Sequence, residues 1–346
     1  MRAARYVGNG GIEVAEVAAS PPGPGEVQLA VAYTGICGTD LHILHGAMDA
    51  RVTLPAVLGH EMSGRVAALG EAVTGWAVGD AVTVMPLRWC GECPACLGGN
   101  SHICQRLDFV GIDSPGALQQ RWNVPAGLLV GLPPGLSLEH AALVEPTAVA
   151  VHDVRRAGPV AGQQALVVGA GPIGVLIACV ARAEGARVLL AEVDAGRRAF
   201  AQGLGFEVID PSGGGVPEHV EAWTAGAGVP VAFEVSSSQP GLDAALASLG
   251  VRGRLVVVGI HPPERRIDLF RVFWRELTLL GARVYQRQDF ERAVELLADR
   301  AVPAAELISR IEPLANAEAA FRSLAEGQGV MKVLVACGGP DGGSDD

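Results

Sequence analysis

Cys90, Cys93, Cys96 and Cys104 follow the pattern Cys-x2-Cys-x2-Cys-x7-Cys. Four thiolates at this spacing close a tetrahedral sulfur cage around a soft divalent ion, and a cage filled by protein leaves no position for substrate. The cluster therefore reads as a structural zinc site. Disulfides and an iron–sulfur cluster draw on the same thiolates, but no export signal is visible and zinc suits the rest of the chain better. His102, inside the cluster, is left as a surface residue because four sulfurs already fill the tetrahedron. Upstream, Cys37 and the adjacent pair His60-Glu61, set between Gly59 and Gly64, offer sulfur, nitrogen and oxygen. A mixed set of three can keep a coordination position open to water or substrate, so a second, catalytic zinc is expected there. Thr39 and His42 follow Cys37 by two and five residues and could carry a proton outward, with His45 as the substitute for His42.

A second constellation points to a dinucleotide. Gly169-Ala170-Gly171-Pro172-Ile173-Gly174 follows the buried-strand pattern Ala165 to Val168 and opens a helical one. Gly169, Gly171 and Gly174 let backbone approach a pyrophosphate, Pro172 suits the first helical turn beside Ile173, and the helix N-terminus favours an anion. The next strand pattern, Ala186 to Ala191, ends in Glu192, placed to accept from both ribose hydroxyls and to repel a 2′-phosphate. NAD is thus expected over NADP, with Arg197 and Arg198 keeping NADP as the alternative.

The elements that must position these groups fall into two patterns. Residues 1 to 35, Val66 to Leu69 and Ala81 to Met85 alternate short strands with Pro- and Gly-rich turns, a β-rich start. From Ala165 the strand patterns, including Glu207 to Asp210, Val231 to Val235, Leu255 to Gly259 and Leu277 to Ala282, alternate with helical ones. That alternation predicts a doubly wound parallel sheet. Helices at Phe290 to Asp299 and Ala315 to Ala325 and strands at Ile308 to Ile311 and Val333 to Val335 should return to the first domain. The expected domains are 1–147 with 284–346, and 148–283. Isolated His219 and His261 read as surface or loop residues, and residues 338–346 as a disordered tail. The 346 residues, 49% of them hydrophobic, suffice for two cores. The net charge of −11 argues against nucleic acid or an anionic membrane as partner. The apolar run 165–181 is interrupted by glycines and Pro172, against a membrane span. A reducing cytoplasm is the expected compartment.

Gly35-Ile36-Cys37-Gly38-Thr39-Asp40, Gly59-His60-Glu61 and the four-cysteine lobe, in this order, resemble the zinc-dependent medium-chain alcohol dehydrogenase family, especially its sorbitol, threonine and butanediol dehydrogenase branch. The resemblance covers about residues 1 to 335. It implies a β-rich GroES-like catalytic domain, a Rossmann domain, two zinc ions per chain and a homo-oligomer, dimer or tetramer. It also implies hydride transfer between NAD and a secondary alcohol such as a polyol, diol or cyclitol hydroxyl. By the same resemblance Glu145, otherwise a helix-start acid, sits at the catalytic metal and shares a role with Glu61. Lys332, the only lysine in the chain, could lie near the cofactor phosphates, although a solvated surface lysine is the simpler reading. Leu118 stands where relatives carry an aromatic residue and could open the substrate pocket. Threonine-type and butanediol-type dehydrogenases, a non-enzymatic NAD-binding redox sensor and a purely structural zinc protein are the competing readings.

Overall fold

The protein is described by a computed structural model over residues 1–48, 51–326 and 329–338. The chain opens with strands β1 (Arg2–Gly8), β2 (Gly11–Glu16) and β3 (Glu26–Gly35), then helix α1 (Gly38–Leu44). Strands β4 (Ala56–Val57), β5 (Glu61–Leu69), β6 (Ala81–Val84) and β7 (Leu87–Arg88) follow, then α2 (Pro94–Leu97), β8 (Asp108–Phe109), β9 (Arg121–Pro125) and β10 (Leu129–Gly131). After α3 (Leu138–Ala141) and α4 (Val144–Ala157) come β11 (Gln164–Val168), α5 (Pro172–Ala183), β12 (Arg187–Ala191), α6 (Ala195–Gly203) and β13 (Glu207–Ile209). Helix α7 (Val216–Trp223), β14 (Val229–Glu234), α8 (Gln239–Ser248), β15 (Leu249–Val257), α9 (Leu269–Trp274) and β16 (Thr278–Gly281) complete that series. The last elements are α10 (Arg287–Ala298), α11 (Ala304–Leu307), β17 (Ile308–Pro313), α12 (Ala317–Glu326) and β18 (Lys332–Ala336). The tail expected from sequence lies, beyond Gly338, outside the described residues.

Two compact units result: Met1–Glu145 together with the chain from Gln286 onward, and Pro146–Tyr285. In the first, β3 is the central strand. Val27, Leu29 and Val31 alternate inward along it, the period of a strand with one buried face. It pairs antiparallel with β5, β9 and β18 in a sheet ordered β10-β6-β5-β3-β18-β17. The register sets Gly35 opposite both Glu61 of β5 and Leu334 of β18. Three segments far apart in sequence therefore meet at one end of β3.

The second unit is a six-stranded sheet, β13-β12-β11-β14-β15-β16, with every pair parallel. Strand order reverses between β11 and β14, as in doubly wound folds. Its inner strands read as continuous apolar runs, such as Val188 to Ala191, because helices cover both faces. One layer is built from Leu166, Leu189, Ala232 and Leu255 packed against Val220, Leu242 and Leu246 of α7 and α8. Fully burying each leucine contributes about 1.5–3 kcal/mol. Among the described residues, no helix is long and apolar enough to cross a membrane.

Candidate functional site

The metal-binding geometry begins with a helix cap. Cys37 caps α1, and Asp40 closes the cap by accepting from the Cys37 N–H at 2.8 Å through Oδ2. The cap fixes the cysteine at the end of β3, while His60 and Glu61 enter at the start of β5. One donor atom from each of Cys37, His60 and Glu61 lies within 4.8 Å of the others, and both His60 and Glu61 are buried. Gly35 permits this: a Cβ there would stand 2.2 Å from Glu61 Oε2. The His60 ring meets the edge of Phe109 at 5.1 Å between centroids.

The free oxygen of Asp40, Oδ1, lies 3.7 Å from His60 Nδ1, and both are buried without a hydrogen-bond partner. A carboxylate behind a metal-binding imidazole fixes ring orientation and leaves the other nitrogen for the metal. Burial lowers the proton affinity of His60, but Asp40, Cys37 and Glu145 outweigh it and hold the ring well above the ordinary histidine value. Burial raises the Asp40 carboxyl above its ordinary value. Negative groups converging on a buried imidazole are the environment a divalent cation would neutralise, so the residues fit a metal. Glu145, buried in the first turn of α4, is outside the three-donor cluster but bears electrostatically on His60 and Lys332.

Lys332 corrects its sequence reading. It is not a surface lysine: it is buried, and its Nζ donates to both oxygens of Glu61 at 2.8 Å and to Ile36 O at 3.3 Å. Burial opposes its charge, but Glu61 and Cys37 more than restore it, raising its pKa above the ordinary lysine value. The side chain reaches Glu61 because β18 pairs with β3 where β3 lacks a side chain, at Gly35. Only long-range register carries that information. Asp40 was visible in its motif, three residues after Cys37, yet its role depends on where His60 lands.

The four-cysteine lobe is compact and contains no disulfide. Its sulfurs approach at 3.5 Å (Cys93–Cys96 and Cys104–Cys90), 3.8 Å (Cys93–Cys104) and 3.9 Å (Cys90–Cys96). A tetrahedron with metal–sulfur bonds of about 2.3 Å has edges of about 3.8 Å, so the cage fits zinc. Backbone N–H groups of Cys90, Cys93 and Arg106 donate to cage sulfurs at 3.3–3.4 Å. The Glu92 N–H, foremost, draws the Cys90 thiol down to about 6, whereas burial pushes Cys96 up to about 11. His102 is buried, not exposed, with Gln286 Nε2 3.4 Å from its Nδ1.

In the second unit, Gly171 caps α5 and Pro172 stands in its first turn. A Cβ on Gly174 would lie 1.9 Å from Gly169 O, so the loop closes only around glycine. Ile173 follows Pro172 into the helix. Glu192 is buried and accepts from Ala170 N at 2.6 Å and Asp194 N at 2.9 Å, one bond per oxygen. It thus ties the glycine loop to the end of β12 and keeps acceptor capacity on both oxygens. Arg197 Nη1 would be 3.6 Å from a Cβ on Gly171, beside the helix N-terminus. Arg198 instead pairs with Asp210 at 2.8 Å.

Thr39 is half-buried and His42 exposed, three residues apart on α1 and hence on one face; His45 is exposed too. Leu118 is a core residue, fully buried against Gly59. His219 is exposed, but His261 is tied into a buried carboxylate network.

A metal-compatible site on a β-rich unit and a glycine-loop Rossmann unit together define a zinc-binding dehydrogenase. Residues 23–134 match the alcohol dehydrogenase GroES-like domain, and residues 172–299 the zinc-binding dehydrogenase domain. The chain belongs to the zinc-binding alcohol dehydrogenase family, oxidoreductases acting on alcohols. It is 49% identical over 97% of its length to 99% of a 2-dehydro-3-deoxy-L-galactonate 5-dehydrogenase from Pseudoalteromonas atlantica. Its structure is similar to that of 2R,3R-butanediol dehydrogenase from Bacillus subtilis (TM-score 0.89, 31% identity, 97% and 99% of the two chains). A zinc-binding dehydrogenase from Sinorhizobium meliloti bound to NADP is equally similar (TM-score 0.90, 32% identity, 97% and 98%).

Proposed function

We propose that the protein carries two zinc ions and uses NAD to oxidise a secondary hydroxyl of a sugar acid or related polyol. The observation that carries this reading is the meeting of Cys37, His60 and Glu61, two of them buried, within 4.8 Å in a chain that also closes a dinucleotide loop. Zinc bound there would lower the proton affinity of the substrate hydroxyl, and NAD would take up the hydride.

Cys37 and His60 are the fixed donors, and Asp40 holds the imidazole. Glu61 would supply the third ligand, with its charge balanced by Lys332, and Glu145 would act beside it on a water held at the metal. Thr39 receives the substrate's proton and His42, one turn on at the surface, delivers it to solvent. Gly169, Gly171, Pro172, Ile173 and Gly174 cradle the pyrophosphate, and Arg197 lies beside it. Glu192 accepts from the ribose, and a 2′-phosphate there would meet its buried carboxylate. That repulsion supports NAD, even though the Sinorhizobium relative was solved with NADP. Unpaired cage thiols suit a reducing cytoplasm.

The relative from Pseudoalteromonas supports the sugar-acid class. The test is a panel of deoxy sugar acids, polyols, diols and hydroxy amino acids assayed for NAD and NADP reduction. A deoxy sugar acid should give the highest kcat/KM, with NAD. Preference for threonine or butanediol would overturn the substrate class, and absence of turnover throughout would favour a redox sensor.

A further inference from the structure

His261 occupies a network that none of the catalytic steps uses. Glu234 ends β14 fully buried, and its Oε2 lies 2.7 Å from His261 Nε2. Its Oε1 accepts from Ser236 N at 2.8 Å and Ser236 Oγ at 2.6 Å. Arg265 Nε donates to His261 Nδ1 at 3.2 Å, which makes Nδ1 the acceptor and places the ring's proton on Nε2, donated to Glu234. Arg265 Nη2 also donates to Ser237 O at 2.8 Å. Farther along the same loop, Arg266 N donates to Gln239 Oε1 at 2.9 Å. The loops that leave the carboxyl ends of β14 and β15 are laced together by these bonds, with His261 as the link to the buried Glu234.

Their place in the sheet gives the lacing a purpose. With the order β13-β12-β11-β14-β15-β16, the glycine loop and Glu192 belong to the half built on β11 to β13, and the His261 network to the half built on β14 to β16. Each half of a doubly wound sheet takes one mononucleotide of a dinucleotide, outside the carboxyl ends of its strands. The first half, with Glu192, takes adenosine. The second takes the nicotinamide nucleotide.

We infer that His261 is a positioning residue for the nicotinamide half of the cofactor, holding the loop after β15 against Glu234 in the shape that receives it. This rests on the dinucleotide reading above. Both ring nitrogens are engaged within the protein, so the side chain acts through the loop and not on the substrate. A preformed loop spares the ordering cost on binding, and losing about one hydrogen bond's worth of organisation corresponds to about a tenfold loss of affinity.

The experiment measures AMP and NADH binding by calorimetry for the wild-type protein, His261→Ala, His261→Gln and Arg265→Met. AMP, which needs only the first half, should bind all four equally. NADH should bind His261→Ala about tenfold more weakly and Arg265→Met more weakly by a smaller factor. His261→Gln, whose amide can donate to Glu234 and accept from Arg265, should recover most of the affinity. Unchanged NADH binding in both His261→Ala and Arg265→Met overturns the inference, as does an equal loss of AMP and NADH. Wild-type protein that binds neither nucleotide removes the dinucleotide reading itself.

Discussion

Lys332 and Glu61 form a buried charge pair in which the cation's two bonds of 2.8 Å satisfy both carboxylate oxygens. Breaking such a pair by removing one partner strands the other charge in a medium that solvates it poorly, at a cost of about 3–5 kcal/mol. Lys332→Met should therefore lower the thermal midpoint well beyond what an exposed lysine would. Its metal content separates this stability effect from any effect on zinc. A midpoint unchanged in calorimetry would contradict the pairing. The pair's own pH dependence has a definite sign. A lysine whose pKa is raised on folding stabilises below its ordinary value, and the contribution is lost only as pH rises through the folded value. At this scale the sequence displayed donors well and their supporters poorly. Cys37, His60 and Glu61 announced themselves by type and spacing. The burial of Lys332, 271 residues from Glu61, is not legible in the sequence because it depends on a strand pairing that no local window contains. His261 was missed for the same reason: its partner, Glu234, ends a different strand.

Elements carry two independent kinds of stability. In the Rossmann sheet, Leu246 of α8 is buried in the layer that joins Leu166 and Leu255. Leu246→Ala should cost about 2–5 kcal/mol, read as a shift in the denaturant midpoint, because the helix can only partly collapse into the space. The four-cysteine lobe has little apolar core: α2 spans only Pro94–Leu97 and contains no buried residue, and the buried side chains around it are Cys93, His102 and Cys104. A metal in the cage would supply its order. Cys90, drawn to about 6, is largely a thiolate at neutral pH, while Cys96, pushed up to about 11, yields its proton only on binding. Metal uptake therefore releases protons, and affinity falls as pH falls. A chromophoric chelator should extract this zinc faster at pH 5.5 than at pH 7.5; equal rates would count against thiolate ligation. The parallel strands and the glycine loop were legible because apolar runs, glycine spacing and helix starts are local signals. Ends were less so: β15 begins at Leu249, six residues ahead of the apolar run at Leu255, since pairing with β14 and not composition sets its start.

For the whole molecule, the open edge of the sheet bears on assembly. Among the described residues, strand β16 has a neighbour only on the β15 side, and α9, just before it in the chain, leaves Phe270, Phe273 and Trp274 at least 70% exposed, with Phe270 stacked on Trp274 at 5.8 Å. An unpaired edge flanked by apolar surface is a template for a second chain. We propose that a second copy covers it. Light scattering should report an oligomer for the wild-type protein and a smaller species for a Phe273→Arg, Trp274→Arg variant; a wild-type monomer would contradict the proposal. In the proposed function, Cys37, His60 and an adjacent carboxylate hold the zinc that activates the alcohol, apart from the four-cysteine cage. The most direct test is the turnover of His60→Ala with NAD and the best substrate of the panel, in protein whose zinc is counted. About one zinc per chain should be retained in the cage, with turnover reduced by several orders of magnitude. Full turnover with both metal sites filled would contradict it.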